Sequence, residues 1–168
     1  MKVKTTNILV AYFSHSGNTR KVANQIHERV GGDILEIVTV DPYPRDYDMV
    51  VEQAELEKKN NSRPELAIEV ENIDSYDVVF IGYPNWWATM PMAVFNFVES
   101  YKLSDKTVVP FCTHEGSGLG VSMRDLKKLC PDSRVIDGLA IRGRNADRAK
   151  NDVSEWLNKL GCFITYLS

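Results

Sequence analysis

Cysteine is scarce in this chain: Cys112, Cys130 and Cys162 are the only three, odd in number and widely scattered. Such a set excludes a disulfide framework and lacks metal-ligand spacing, so a reduced, cytoplasmic setting with no metal is expected. Long apolar runs are missing too. None approaches the ~20 residues of a bilayer span, and no membrane association is expected. Lys2 and Lys4 precede a short apolar run, but no cleavage-site pattern follows it before Ser14, which argues against a signal peptide. Positive charge is not in excess: 20 Lys and Arg stand against 23 Asp and Glu, a net charge of −3, which is no footprint for nucleic acid. Repeats, linkers and low-complexity segments are absent, and 168 residues with 43% hydrophobic content suit one domain over residues 1–168.

The most informative stretch reads NILVAYFSHSGNTRKVANQI, from Asn7 to Ile26. Ile8 to Phe13 is an unbroken apolar run, as a parallel strand covered on both faces requires. From Lys21 the spacing turns helical, with Val22, Ile26 and Val30 on one face. Between them lie Ser14, His15, Ser16, Gly17, Asn18 and Thr19. Three hydroxyls, an amide and the backbone N–H groups of a helix N-terminus suit a phosphate. A single glycine excludes the dinucleotide fingerprint, and no Lys follows Gly17 to make a Walker loop. Hydroxyl donors and a helix dipole worth ~0.3–1 kcal/mol can hold a terminal phosphomonoester with little formal charge. Arg20 is the only cation in the turn. A capped helix that binds nothing needs one Ser, Asn or Thr; four stand here in six positions.

Strands and helices alternate through the rest of the chain. The pattern predicts strands over Asp33–Val40, Asp77–Gly82, Thr107–Cys112 and Arg134–Ile141. Helices are predicted over roughly Asp48–Asn60, from Pro91 to Tyr101, and over Leu119–Leu129 and Ala146–Leu160. Five strands alternating with five helices give an α/β fold, a doubly wound parallel sheet in three layers. Ligands of such sheets bind outside the carboxyl ends of the strands, where right-handed crossovers gather the strand-to-helix turns.

Two further turns should therefore meet the first. After the third strand, GYPNWWATMP places Trp86 and Trp87 where a ligand or solvent is their neighbour. A flat ring stacked on an indole gains ~0.5–1.5 kcal/mol beyond area burial; the alternative is an indole folded back into the core. After the fourth strand, CTHEGSGLG has three glycines that allow close backbone approach to a polar ring edge. The alternative there is a plain flexible loop. A phosphate, a planar ring system and a polar ring edge together describe a flavin mononucleotide.

SHSGNT, YPNWWATMP and FCTHEGSG, in this order and spacing, resemble the three flavin loops of the flavodoxin-like family, in a branch with Trp-Trp in the second loop. The resemblance runs from Asn7 to Leu160. It implies a five-stranded sheet in the order 2-1-3-4-5 and FMN held without a covalent bond. It further implies that Ser14, Ser16, Gly17, Asn18 and Thr19, with His15 among them, bind the phosphate. Pro84, Asn85, Trp86, Trp87 and Ala88 would line the isoalloxazine, while Thr113, His114, Glu115 and Gly116, flanked by Ser117 and Gly118, would address its pyrimidine edge. A response regulator is excluded, because its phospho-acceptor Asp would fall in Gly-Tyr-Pro. A low-molecular-weight phosphatase is excluded as well, because Cys-x5-Arg counted from Cys112 ends on Gly118.

Two functions remain open. One is a carrier passing electrons between partner proteins; the other is an FMN-dependent NAD(P)H oxidoreductase acting on a small quinone-type acceptor. Family carriers are strongly acidic, which suits docking through complementary charge, whereas −3 is mild. Carriers also tend to place Gly where a peptide turns toward reduced flavin, and here Asn85 stands with no Gly between Pro84 and Pro91. No nicotinamide site is evident and no catalytic residue is assigned. Glu115 is a candidate for setting the potential. A carboxylate ~4 Å from an anionic reduced ring costs about 4 kcal/mol at an effective dielectric of 20, roughly 170 mV for one electron. Cys112, Cys130 and Cys162 read as ordinary small apolar residues, and His27 as a boundary residue beside a helix stripe. The helix EQAELEKK reads as a solvated face that, with Tyr43 and Tyr47, could line a partner site. A monomer or weak homodimer is expected.

Overall fold

Five consecutive apolar residues, Ile8–Tyr12, form β1, and all five are buried. The pleat sends them alternately to two sides of the sheet, so each side has its own core. Ile8, Val10 and Tyr12 join Val22, Ala23 and Ile26 of α1 (Asn18–Val30), and Val153, Trp156, Leu157 and Leu160 of the last helix. Leu9, Ala11 and Phe13 face the other way, toward the helices that follow the third and fourth strands. The structure is a computed structural model that describes residues 5–165, with side chains through Gly161. Lys2, Lys4 and the Cys162 side chain lie outside the described residues.

Strands β2 (Asp33–Glu36), β3 (Val78–Pro84) and β4 (Thr107–His114) complete the centre of the sheet. The order is β2-β1-β3-β4-β5, where β5 is Arg134–Val135, and every pairing is parallel. This is the doubly wound α/β arrangement predicted from the alternation of elements. On the second side α3 (Met92–Ser100) packs Ala93, Val94, Phe97 and Val98, and α4 (Ser122–Leu129) packs Leu126. Between β2 and β3 runs α2 (Tyr47–Lys59), capped by Asp46, whose carboxylate accepts from the Met49 N–H. A capping side chain of this kind stabilises a helix by about 1 kcal/mol.

β3 and β4 run two residues past their predicted ends and α4 begins at Ser122, three residues late; larger differences from the sequence expectations lie elsewhere. β2 stops at Glu36, and Thr39 instead makes an isolated antiparallel bridge to Leu66. The fifth strand is broken into β5 (Arg134–Val135) and β6 (Leu139–Arg142), both paired with β4. Ile136, Asp137 and Gly138 there lie opposite only Val109 and Pro110, a bulge at the point where proline offers no N–H to a neighbouring strand. After β6 the chain makes a 3-10 helix over Gly143–Arg148, so α5 begins at Lys150 and runs to Thr165. Among the described residues no helix is long and apolar enough to cross a membrane.

Candidate mononucleotide site

The turn after β1 is built around Ser14. Its Oγ accepts the N–H groups of Gly17 at 3.2 Å and Arg20 at 3.3 Å. A helix leaves its first N–H groups without internal partners. Ser14 takes up two, leaving those of Asn18 and Thr19 at the open end of α1. Gly17, the N-cap, has φ 94°. Ser16 is exposed, and its hydroxyl has no hydrogen-bond partner among the described residues. The Arg20 guanidinium is turned toward Glu36, with which it pairs at 2.5 Å. Tyr12 lies beside that pair, and burial first of all raises its pKa. An anion at this end of α1 would meet neutral donors and the helix dipole.

Thr19 is tied differently. Its Oγ1 lies 2.8 Å from the Thr113 Oγ1, and both residues are buried. This bond joins the first turn to the third. Asn85 joins the second turn to the third, its N–H donating to the Thr113 carbonyl at 2.8 Å and its Nδ2 to the Gly118 carbonyl at 2.7 Å. The three turns are therefore connected to one another by direct hydrogen bonds over Thr113 and Gly118, above the ends of β1, β3 and β4.

The second turn holds an unusual backbone. Trp86 and Thr89 exchange N–H···O bonds of 2.9 and 3.2 Å, and the two residues between them, Trp87 and Ala88, have φ 52° and 70°. Left-handed conformations at both central positions ordinarily call for Asn-Gly and cost side-chain-bearing residues about 1–2 kcal/mol each. Neighbouring elements hold the turn in place. The Trp87 indole N–H donates to the Val51 carbonyl of α2 at 3.1 Å, and Lys58 Nζ donates to the Trp87 carbonyl. The Val121 N–H donates to the Ala88 carbonyl at 2.7 Å. Gly120 makes that approach possible, because a Cβ there would lie 2.2 Å from the Ala88 oxygen. Trp86 points the other way. It meets Phe13, Tyr43 and His15 edge-on, at centroid distances of 5.2, 5.1 and 5.9 Å. His15 also approaches the Pro44 carbonyl through Nε2 at 2.7 Å.

In the third turn Thr113 is buried, His114 half-buried, and Glu115, Gly116 and Ser117 exposed. His114 Nδ1 is buried and has no hydrogen-bond partner among the described residues. Burial, followed by the nearby charge of Arg142, lowers its pKa and keeps the ring neutral near pH 7. The Cys112 thiol beneath it is pushed up to about 12 by burial and is inert. A fourth segment closes this side: a Cβ on Gly143 would meet Glu115 Oε1 at 2.5 Å and Asn18 Nδ2 at 2.6 Å. The Glu115 carboxylate and the Asn18 amide converge on that bare backbone, between the first turn and the third.

A mononucleotide fits these groups. Neutral donors at the start of α1 suit a phosphate, and the orphaned His114 nitrogen suits a polar ring edge. The comparisons with known proteins agree with the geometry. A family model described as flavodoxin matches residues 7–160. The chain belongs to the flavodoxin family. A candidate flavoprotein from Bacteroides eggerthii DSM 20697 is 36% identical, with 94% of this chain and 99% of that one covered and a TM-score of 0.82. A second, from Bacteroides uniformis ATCC 8492, is 29% identical over 92% and 99% of the two chains, again at 0.82. A flavoprotein from Lactobacillus acidophilus NCFM, solved in complex with FMN, shares the fold at 22% identity, 89% and 99% coverage and a TM-score of 0.69. No curated protein matches the chain.

Sequence reasoning grouped the three flavodoxin loops correctly as neighbours but missed what braces them. Val51 and Lys58 on α2, Tyr43 in the segment before it, and Gly143 after β6 all contribute. The Arg-Gly-Arg turn at a strand's carboxyl end was a usable signal for Gly143. Nothing in the spacing of α2 pointed to the second turn.

Proposed function

We propose that this flavodoxin-family protein binds FMN noncovalently at the three linked turns and carries electrons between partner proteins. Ser16, the Asn18 and Thr19 N–H groups and Gly17 would hold the phosphate, with Ser14 fixing the turn. Pro84, Asn85 and Trp87 would flank the ring, and Thr113, His114 and Gly116 to Gly118 would face its polar edge. The observation that carries the reading is the direct bonding of the turns, Thr19 to Thr113 and Asn85 to Gly118. It preorganises the site before any ligand arrives. FMN when bound supplies the redox chemistry; the chain's part is to bind it, orient it and limit access to it.

One observation favours the second reading, an NAD(P)H oxidoreductase for a small acceptor. The Trp86, Trp87 and Ala88 carbonyls are all engaged, by Thr89, Lys58 and Val121. Three successive carbonyls of the second turn are thus held against rotation toward a bound ring, which the family's carriers are expected to allow. Anaerobic reduction of the FMN-loaded protein, followed by absorbance, separates the two. A carrier takes up electrons from dithionite in two resolved one-electron steps and is indifferent to NADH and NADPH. Rapid bleaching by either nucleotide in a single two-electron step would overturn the carrier reading.

A further inference from the structure

A pocket of about 210 Å³ opens beside the three turns, between the end of β1 and the segment linking β2 to α2. Phe13, Ile37 and Tyr43 form its apolar wall, and Ser14, His15 and Arg45 its polar rim. The wall is firm. Phe13 and Ile37 are almost wholly buried, and the Tyr43 hydroxyl is anchored on Glu57 at 2.7 Å. Its aromatic members are also the residues against which Trp86 packs, so one indole separates the pocket from the space above β3 and β4.

The charge of the rim is positive. Glu36 reaches the pocket, but its carboxylate is already paired with Arg20. Arg45 has no ion-pair or hydrogen-bond partner among the described residues and is exposed. His15 uses Nε2 on the Pro44 carbonyl, which fixes the ring at the rim. A cavity of ~150 Å³ suffices for benzene, so this volume admits one ring or two fused rings. Flat aromatic walls favour a flat ligand, and a guanidinium at the mouth favours a carboxylate. We propose that this pocket binds a planar aromatic carboxylate, alongside the mononucleotide and not in its place.

Titration of naphthoate into the FMN-loaded protein by calorimetry tests this. One site is expected, and Arg45→Ala should weaken it about tenfold while FMN affinity is unchanged. Val38→Trp, on an exposed residue of the pocket mouth, should block naphthoate and also spare FMN. Competition between naphthoate and FMN, or binding that neither substitution affects, would overturn the proposal. Were the parent protein to take up no FMN, the mononucleotide reading alone would fall, and the same titration on the unloaded protein would decide the pocket.

Discussion

Single residues here carry roles that their type alone does not specify. Arg20 follows the first turn directly yet pairs with Glu36, while the helix end itself presents hydroxyl and N–H donors. Thr19, one more hydroxyl in the sequence pattern, is instead the buried link between two turns. His114 is the residue whose surroundings make the sharpest statement about pH. Its native pKa lies below the usual ~6.5, so between that value and 6.5 the unfolded chain binds more proton and stability rises with pH. The benefit of the neutral ring is complete above the unfolded value and is lost as pH falls through it toward the native one. A proton-detected NMR titration should place the His114 midpoint below the usual ~6.5. Arg142→Ala should raise it only part of the way, because burial is the larger cause. A midpoint at or above ~6.5 would contradict the burial of Nδ1.

Among the elements, the second turn is where local preference and tertiary structure disagree. Trp87 and Ala88 are poor residues for left-handed backbone, and the conformation persists through bonds from α2 and from the stretch before α4. Gly120→Ala would set a methyl group against the Ala88 oxygen at a residue whose own φ is 55°. A loss of at least about 1–2 kcal/mol is expected, read by urea denaturation, with weaker FMN binding because the turn moves. A neutral substitution would mean that the turn does not depend on this approach. The elements also show where sequence reading stops. Ile8–Phe13 and the polar turn after it were legible because an apolar run, a hydroxyl cluster and a helical stripe follow one another within 20 residues. The break between β5 and β6 was not, since its cause, Pro110, lies on the neighbouring strand. Trp87 was singled out as an aromatic at a turn, but its bond to Val51 depends on how α2 crosses the sheet. That is a tertiary fact with no local signature.

The whole molecule places its chemistry along one edge of a parallel sheet, as the doubly wound topology dictates. Residues almost 100 positions apart, Thr19 and Thr113, share a hydrogen bond there. Central to the account is that the first, second and third turns form a single FMN site, and adding FMN to isotopically labelled apoprotein while following backbone amide signals tests this most directly. Amides of residues 14–19, 85–88 and 113–118 should shift together and saturate at one equivalent, whereas riboflavin, lacking the phosphate, should move the second and third groups but leave 14–19 nearly unchanged. Shifts confined to one turn, or gathered elsewhere on the molecule, would contradict it.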